Sequence, residues 1–217
     1  MKMTKNKLAK GFTLVELLVV IAIIAALAAL STPVVLKQQK KAAATEAINN
    51  AKQQYLVFFE CDQDTGAYPN EALSSNANFQ KLITDGYTTS EEIFYAKTAS
   101  SPKKPDGDVS VGNAAVVDEV GFLYIGGLSS TAPSTAPLTA TPQKTAGNVA
   151  PTAATFDVNA FGGTAVVLFN DGSARTFRIG TSGATADLIT NKTSGTEEDI
   201  FLAGRLSAIG GTLLNPL

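Results

Sequence analysis

The sequence predicts an α+β protein in which one long N-terminal helix packs on a small, mainly antiparallel β-sheet. Three observations carry that expectation. An apolar run covers residues 12–36, helix-forming residues extend it to about residue 62, and the remainder alternates short β-rich runs with Gly, Pro, Ser and Thr. The 217 residues suit one good-sized domain with an appendage, and 45% hydrophobic against 17% charged residues is apolar for a soluble chain.

Two absences narrow the chemistry. The chain has no His, which excludes Ser-His-Asp and Cys-His catalysis and His-ligated zinc. Its one cysteine, Cys61, cannot form an intrachain disulfide and reads as a small, partly buried side chain. A net charge of −2 gives no nucleic-acid footprint. Without a nucleophile motif or a Gly-rich phosphate loop, the expectation is a protein that is not an enzyme.

The N-terminal elements come first. Residues 1–11 carry Lys2, Lys5, Lys7 and Lys10 and no acid. From Phe12 to Leu30 the run is interrupted only by Thr13 and Glu16, a length close to the roughly 20 residues that span hydrocarbon. Apolar character continues to Leu36, and Lys37, Lys40 and Lys41 follow. A secretory signal peptide cleaved in the small residues near 26–30 is one reading, and Glu16 inside the run argues against it. An uncleaved anchor is a second, which the positive-inside rule orients poorly with four Lys before the run and three after it. Glu16 itself needs an explanation, because a carboxylate in a spanning segment is costly. Thr13-Leu14-Val15-Glu16 has the form of a capping box, and an acid in the first turn suits the helix dipole.

The third reading is a resemblance. Lys10-Gly11-Phe12-Thr13-Leu14-Val15-Glu16, followed by the apolar run and then Pro33, resembles the start of type IV prepilins and type II secretion pseudopilins. The resemblance implies that a prepilin peptidase removes the basic leader 1–11 between Gly11 and Phe12, and that Phe12 is then N-methylated. Glu16 becomes the fifth residue of the mature chain, where the new Phe12 amine of a neighbouring subunit is its charge partner in an apolar bundle. Thr13 belongs to the same assembly motif. Capping and pairing remain two open roles for Glu16. The 17 Lys and Arg less the four of the leader leave 13 against 19 acids, a formal charge of −6.

The implied function is structural: a subunit of a type II secretion pseudopilus or type IV pilus-like filament, with no cofactor. Its partners are other copies of itself, the prepilin peptidase, an inner-membrane assembly platform and, before assembly, membrane lipid; nucleic acid is not expected. It waits as a single-pass protein of the cytoplasmic (inner) membrane, with its globular domain outside the cytosol, and moves into a periplasmic or extracellular filament. The lack of paired cysteines near the C-terminus favours a pseudopilin over an adhesive pilin. A minor pilin of a DNA-uptake or adhesion pilus, an exported soluble binding protein with an ordinary signal peptide, and a membrane-anchored enzyme are the alternatives.

After Pro33, the expected site of a helix kink, residues 37–62 read as the projecting half of the helix. Ile48, Ala51, Tyr55 and Phe58 or Phe59 recur at spacings of three and four, and the whole helix measures about 75 Å. Two helices bent at Pro33 are the alternative. The segment 63–217 is expected to be the globular domain. Asp62-x-Asp64-x-Gly66 resembles the opening of a calcium loop but lacks its remaining ligands, so it and residues 105–108 read as turns. Calcium is possible here but unsupported.

Residues 76–86 predict a helix with Phe79, Leu82 and Ile83 on one face and Gly86 as its stop, and residues 89–97 predict another capped at Ser90. Strands are expected at Ala114–Val117 and Gly121–Ile125, turning at Asp118-Glu119. The Ser/Thr/Pro-rich segment 129–155 reads as an exposed loop. Two β-rich runs around Asn170-Asp171-Gly172 predict a hairpin, and the tail from Ser194–Thr196 predicts a last helix. The strand–Asp-Gly–strand unit is similar to one in a group of bacterial pseudopilin-like proteins, where a His often follows the Gly; Ser173 stands there instead.

Overall fold

The computed structural model describes residues 12–71, 74–98, 103–110, 112, 114–115, 118–142, 156–180, 188–193, 196–199, 201 and 203–214. They fall into two compact units, one ending at Gln39 and one running from Lys40 to Leu217. Helix α1, Leu14–Thr65, contributes to both.

In the first unit every residue from Phe12 to Leu36 is exposed, so the apolar surface is uncovered on all sides of the helix. The chain stays helical through Pro33. Pro33 has no N–H to give the Ala29 carbonyl. One residue before Ala29, the Ala28 carbonyl accepts from the hydroxyls of both Ser31 and Thr32, at 3.1 and 2.8 Å.

In the second unit α1 buries Ala47, Ala51, Gln54, Phe58, Cys61 and Asp62. The expected stripe is therefore turned by one position. Ile48 and Tyr55 are half-buried, while Leu56 and Phe59 face outward at 66% and 42% exposure. A polar residue displaced them because Gln54 has work inside. Its Nε2 donates to the Ile93 carbonyl at 2.6 Å, and its Oε1 accepts the Thr139 hydroxyl at 2.9 Å. The helix also runs past the expected end at residue 62, because Asp62 and Asp64 are still helical. Gly66, at φ +80°, ends it with its amide on the Asp62 carbonyl.

Helix α2, Ser75–Thr84, forms where expected, with the Ser74 hydroxyl accepting the Ala77 amide at its start. The second expected helix is only a 3₁₀ turn, Glu92–Phe94, flanked by Glu91 rather than capped by Ser90. The carbonyls of Glu92 and Ile93 are taken by α1. Asn50 Nδ2 donates to Glu92 and Tyr95, and Gln54 to Ile93, so the acceptors a longer helix would need are used.

The strands are β1 (Leu123–Gly126), β2 (Pro137–Thr141), β3 (Thr164–Phe169), β4 (Ala174–Gly180), β5 (Leu188–Thr193), β6 (Thr196–Asp199) and β7 (Thr212–Leu214), with helix α3 at Ala203–Ala208. They form one antiparallel sheet in the order β6-β5-β4-β3-β2-β1-β7. Five of them, β7-β1-β2-β3-β4, make the small sheet on which α1 packs, and the β5–β6 hairpin continues it beyond β4. The expected α+β architecture is the observed one. Phe58 of α1 is its centre, with ring centroids 5.3 Å from Tyr124, 5.9 Å from Tyr68 and 6.3 Å from Phe79, and Phe79 stacks on Phe94 at 4.3 Å.

Several expectations are corrected. The segment 129–155 is not all exposed loop: Pro137–Thr141 is a fully buried strand between β1 and β3, and residues 143–155 lie outside the described residues. Composition misled because Thr139 and Thr141 are buried with their hydroxyls bonded, to Gln54 and to the Gly121 carbonyl. The expected strand at 114–117 is a turn at Ala114 and Ala115, where Ala115 has φ +50°; Val116 and Val117 lie outside the described residues. The next strand begins two residues later than expected, at Leu123. The last helix is shorter than expected, because Thr196–Asp199 pairs with β5 as the sheet's edge strand, a place its acidic sequence suits. The 164–180 hairpin forms as expected, with the Gly172 amide on the Phe169 carbonyl at 2.9 Å.

Candidate assembly site at the helix N-terminus

The candidate site is the first turn of α1. Thr13 immediately precedes the first helical residue, Leu14. Its amide donates to Glu16 Oε2 at 2.9 Å and its hydroxyl donates to the same oxygen at 2.7 Å. In return the Glu16 amide donates to Thr13 Oγ1 at 3.2 Å. The predicted capping box is thus closed in both directions, which satisfies two donors the helix start would otherwise leave open. Among the described residues Glu16 Oε1 accepts no hydrogen bond, and the side chain is exposed. One carboxylate oxygen holds the chain's own helix start while the other keeps its acceptor capacity.

Phe12, at 76% exposure, lies next to this box. Gly11 lies outside the described residues. Pro33 sits within the same helix, beyond the apolar residues that lead away from the site. Phe12, Thr13 and Glu16 therefore stand together at one end of an uncovered apolar helix long enough to cross a membrane.

The other residues singled out in the sequence make hydrogen bonds within the fold where described. Asp62 Oδ1 accepts the Ser130 amide at 3.1 Å and so ties the end of α1 to the loop before β2. Asp106 and Asp108 fold onto their own turn, accepting the amides of Asp108 and Ser110. Among the described residues no group of three or more His, Cys, Asp and Glu is placed to hold a metal ion. Cys61 is buried beside Thr65, and burial pushes its thiol pKa up, away from the reactive thiolate.

Sequence reasoning missed the polar residues that organise the second unit. Asn170 Oδ1 accepts the Tyr68 hydroxyl at 2.7 Å, while its Nδ2 reaches the carbonyls of Ser129, Ser130 and Ala132. Glu91 is buried and accepts the amides of Gly107 and Ala115, pinning the segment before β1. The only local signal was Asn170 in its Asn-Asp-Gly turn, which suggests a hairpin and nothing about these distant partners.

Residues 6–32 match the family model for the prokaryotic N-terminal methylation motif. No curated protein and no solved structure matches the chain. The match covers Gly11 and Phe12, the Thr13–Glu16 box and most of the apolar run, and stops before Pro33.

Proposed function

We propose that this chain, which carries the type IV prepilin-like signature at residues 6–32, is a structural subunit of a type II secretion pseudopilus or pilus-like filament. The observation that carries the proposal is a closed Thr13–Glu16 box at the head of an apolar helix that no other described part of its unit covers. In the inner membrane lipid covers that surface; in a filament the same surface of neighbouring copies does, at little net hydrophobic cost. A prepilin peptidase cuts between Gly11 and Phe12 and Phe12 is N-methylated, so its new amine lies near the plane of Glu16. The free Oε1 of Glu16 then meets the Phe12 amine of a neighbouring copy while Oε2 keeps the cap. Each charge would be costly alone in an apolar bundle, and the pair offsets both. The role is assembly, without catalysis and without a cofactor, and the globular domain lies outside the cytosol.

Replacing Glu16 by Leu tests this. The variant should be inserted and cleaved like the wild type and be depleted from sheared filaments. Wild-type incorporation of the Leu variant would sink the pairing role. Secretion and surface filaments scored after deletion of the gene distinguish a pseudopilus subunit from a pilus subunit.

A further inference from the structure

Between Glu16 and Glu46 the only charges on α1 are Lys37, Lys40 and Lys41. Their spacing of three and four residues places them on one face of the helix. Lys37 and Lys41 are exposed and Lys40 half-buried, and among the described residues no carboxylate pairs with any of them. Among the described residues Glu46, the next acid along the helix, forms no ion pair with them either. The result is a basic turn with no carboxylate partner among the described residues, placed directly after the apolar run.

Its position along the helix fits a membrane surface. The residues from Phe12 to Leu36 rise about 37 Å, against a hydrocarbon core of about 30 Å. With Phe12 at one edge of the core, Lys37 emerges at the headgroup layer of the other leaflet. Helical side chains lean towards the N-terminus, so the ammonium groups of the next turn, Lys40 and Lys41, reach back towards that layer. These lysines sit on the far side of the membrane from the leader and do not help orient the chain. We infer that Lys37, Lys40 and Lys41 form a docking surface for anionic phospholipid headgroups of the outer leaflet of the inner membrane, which holds the subunit at a fixed depth before assembly. This rests on the membrane-anchored reading above. Phosphate oxygens accept from ammonium donors without a fixed geometry, so three flexible lysines suffice where a bidentate site would need arginine.

The full chain reconstituted into vesicles of phosphatidylcholine, with or without a minority of phosphatidylglycerol, tests the inference, with spin-labelled lipids reporting which headgroup stays next to the protein. The wild type should prefer phosphatidylglycerol, and the preference should fall about fivefold for each lysine removed in the series leading to Lys37→Gln/Lys40→Gln/Lys41→Gln. Inorganic phosphate should compete no better than chloride at equal ionic strength. No preference in the wild type, or an equal preference in the triple variant, overturns the inference. So does a triple variant that keeps its lipid preference but fails to enter filaments, which would assign the lysines to an acidic neighbouring subunit. Failure of the wild type to insert into either vesicle is a separate result, which sinks the membrane-anchored reading itself.

Discussion

Glu16 holds its own helix start through Oε2 alone, so substitutions that separate charge from hydrogen bonding also separate its two roles. Glu16→Gln keeps an acceptor for the Thr13 amide and loses the charge; under the pairing proposal it is processed normally and assembles poorly, as seen by immunoblotting of sheared filaments. Gly172 is the second informative residue. It sits at φ +74°, and a Cβ there would lie 2.8 Å from the Tyr55 ring. Gly172→Ala should therefore lower stability by about 1–3 kcal/mol in denaturant titration, from the left-handed backbone alone and more if Tyr55 is displaced. Both sites were legible in part. The capping box and the Asp-Gly turn are short-range patterns. That Tyr55 closes over Gly172 depends on residues more than a hundred positions apart, and no local pattern encodes it.

At the scale of elements, α1 is registered on the domain by amides rather than by its apolar stripe alone. Gln54 is fully buried and bonded on both sides of its amide, to the 3₁₀ turn and to β2. Gln54→Leu keeps the volume but leaves the Ile93 carbonyl and the Thr139 hydroxyl without that partner. A loss of about 1–3 kcal/mol in unfolding free energy should follow, with the denaturant slope unchanged. Helices α1 and α2 and the β3–β4 hairpin could be read from periodicity, capping residues and turn chemistry. Strand β2 could not, because its Thr residues look like loop until their hydroxyls find Gln54 and Gly121. The edge strand β6 was hidden for a related reason: an acidic segment carries no apolar alternation, and only pairing with β5 makes it a strand.

The molecule as a whole combines a unit whose described residues are all exposed with a unit whose centre is aromatic. Burial raises the pKa of both Tyr68 and Tyr124, and each hydroxyl donates inside the core, to Asn170 Oδ1 and to the Pro69 carbonyl. A phenol pKa raised by folding contributes stability that is complete below the unfolded value and is lost as pH rises towards the folded one. Thermal stability should therefore be flat at neutral pH and fall above about pH 10. Tyr124→Phe should reduce that alkaline loss, as followed by the melting temperature across a pH series.

The division of labour between the units is the central claim: the domain folds around α1, while the uncovered part of α1 is processed and assembled. Intact-mass analysis of the protein recovered from the membrane fraction tests it most directly. The account predicts a single chain that lacks residues 1–11, begins at Phe12 and carries one additional methyl group on its α-amino nitrogen. A chain that begins near Ser31 would contradict it, and so would one that keeps Lys2 to Gly11.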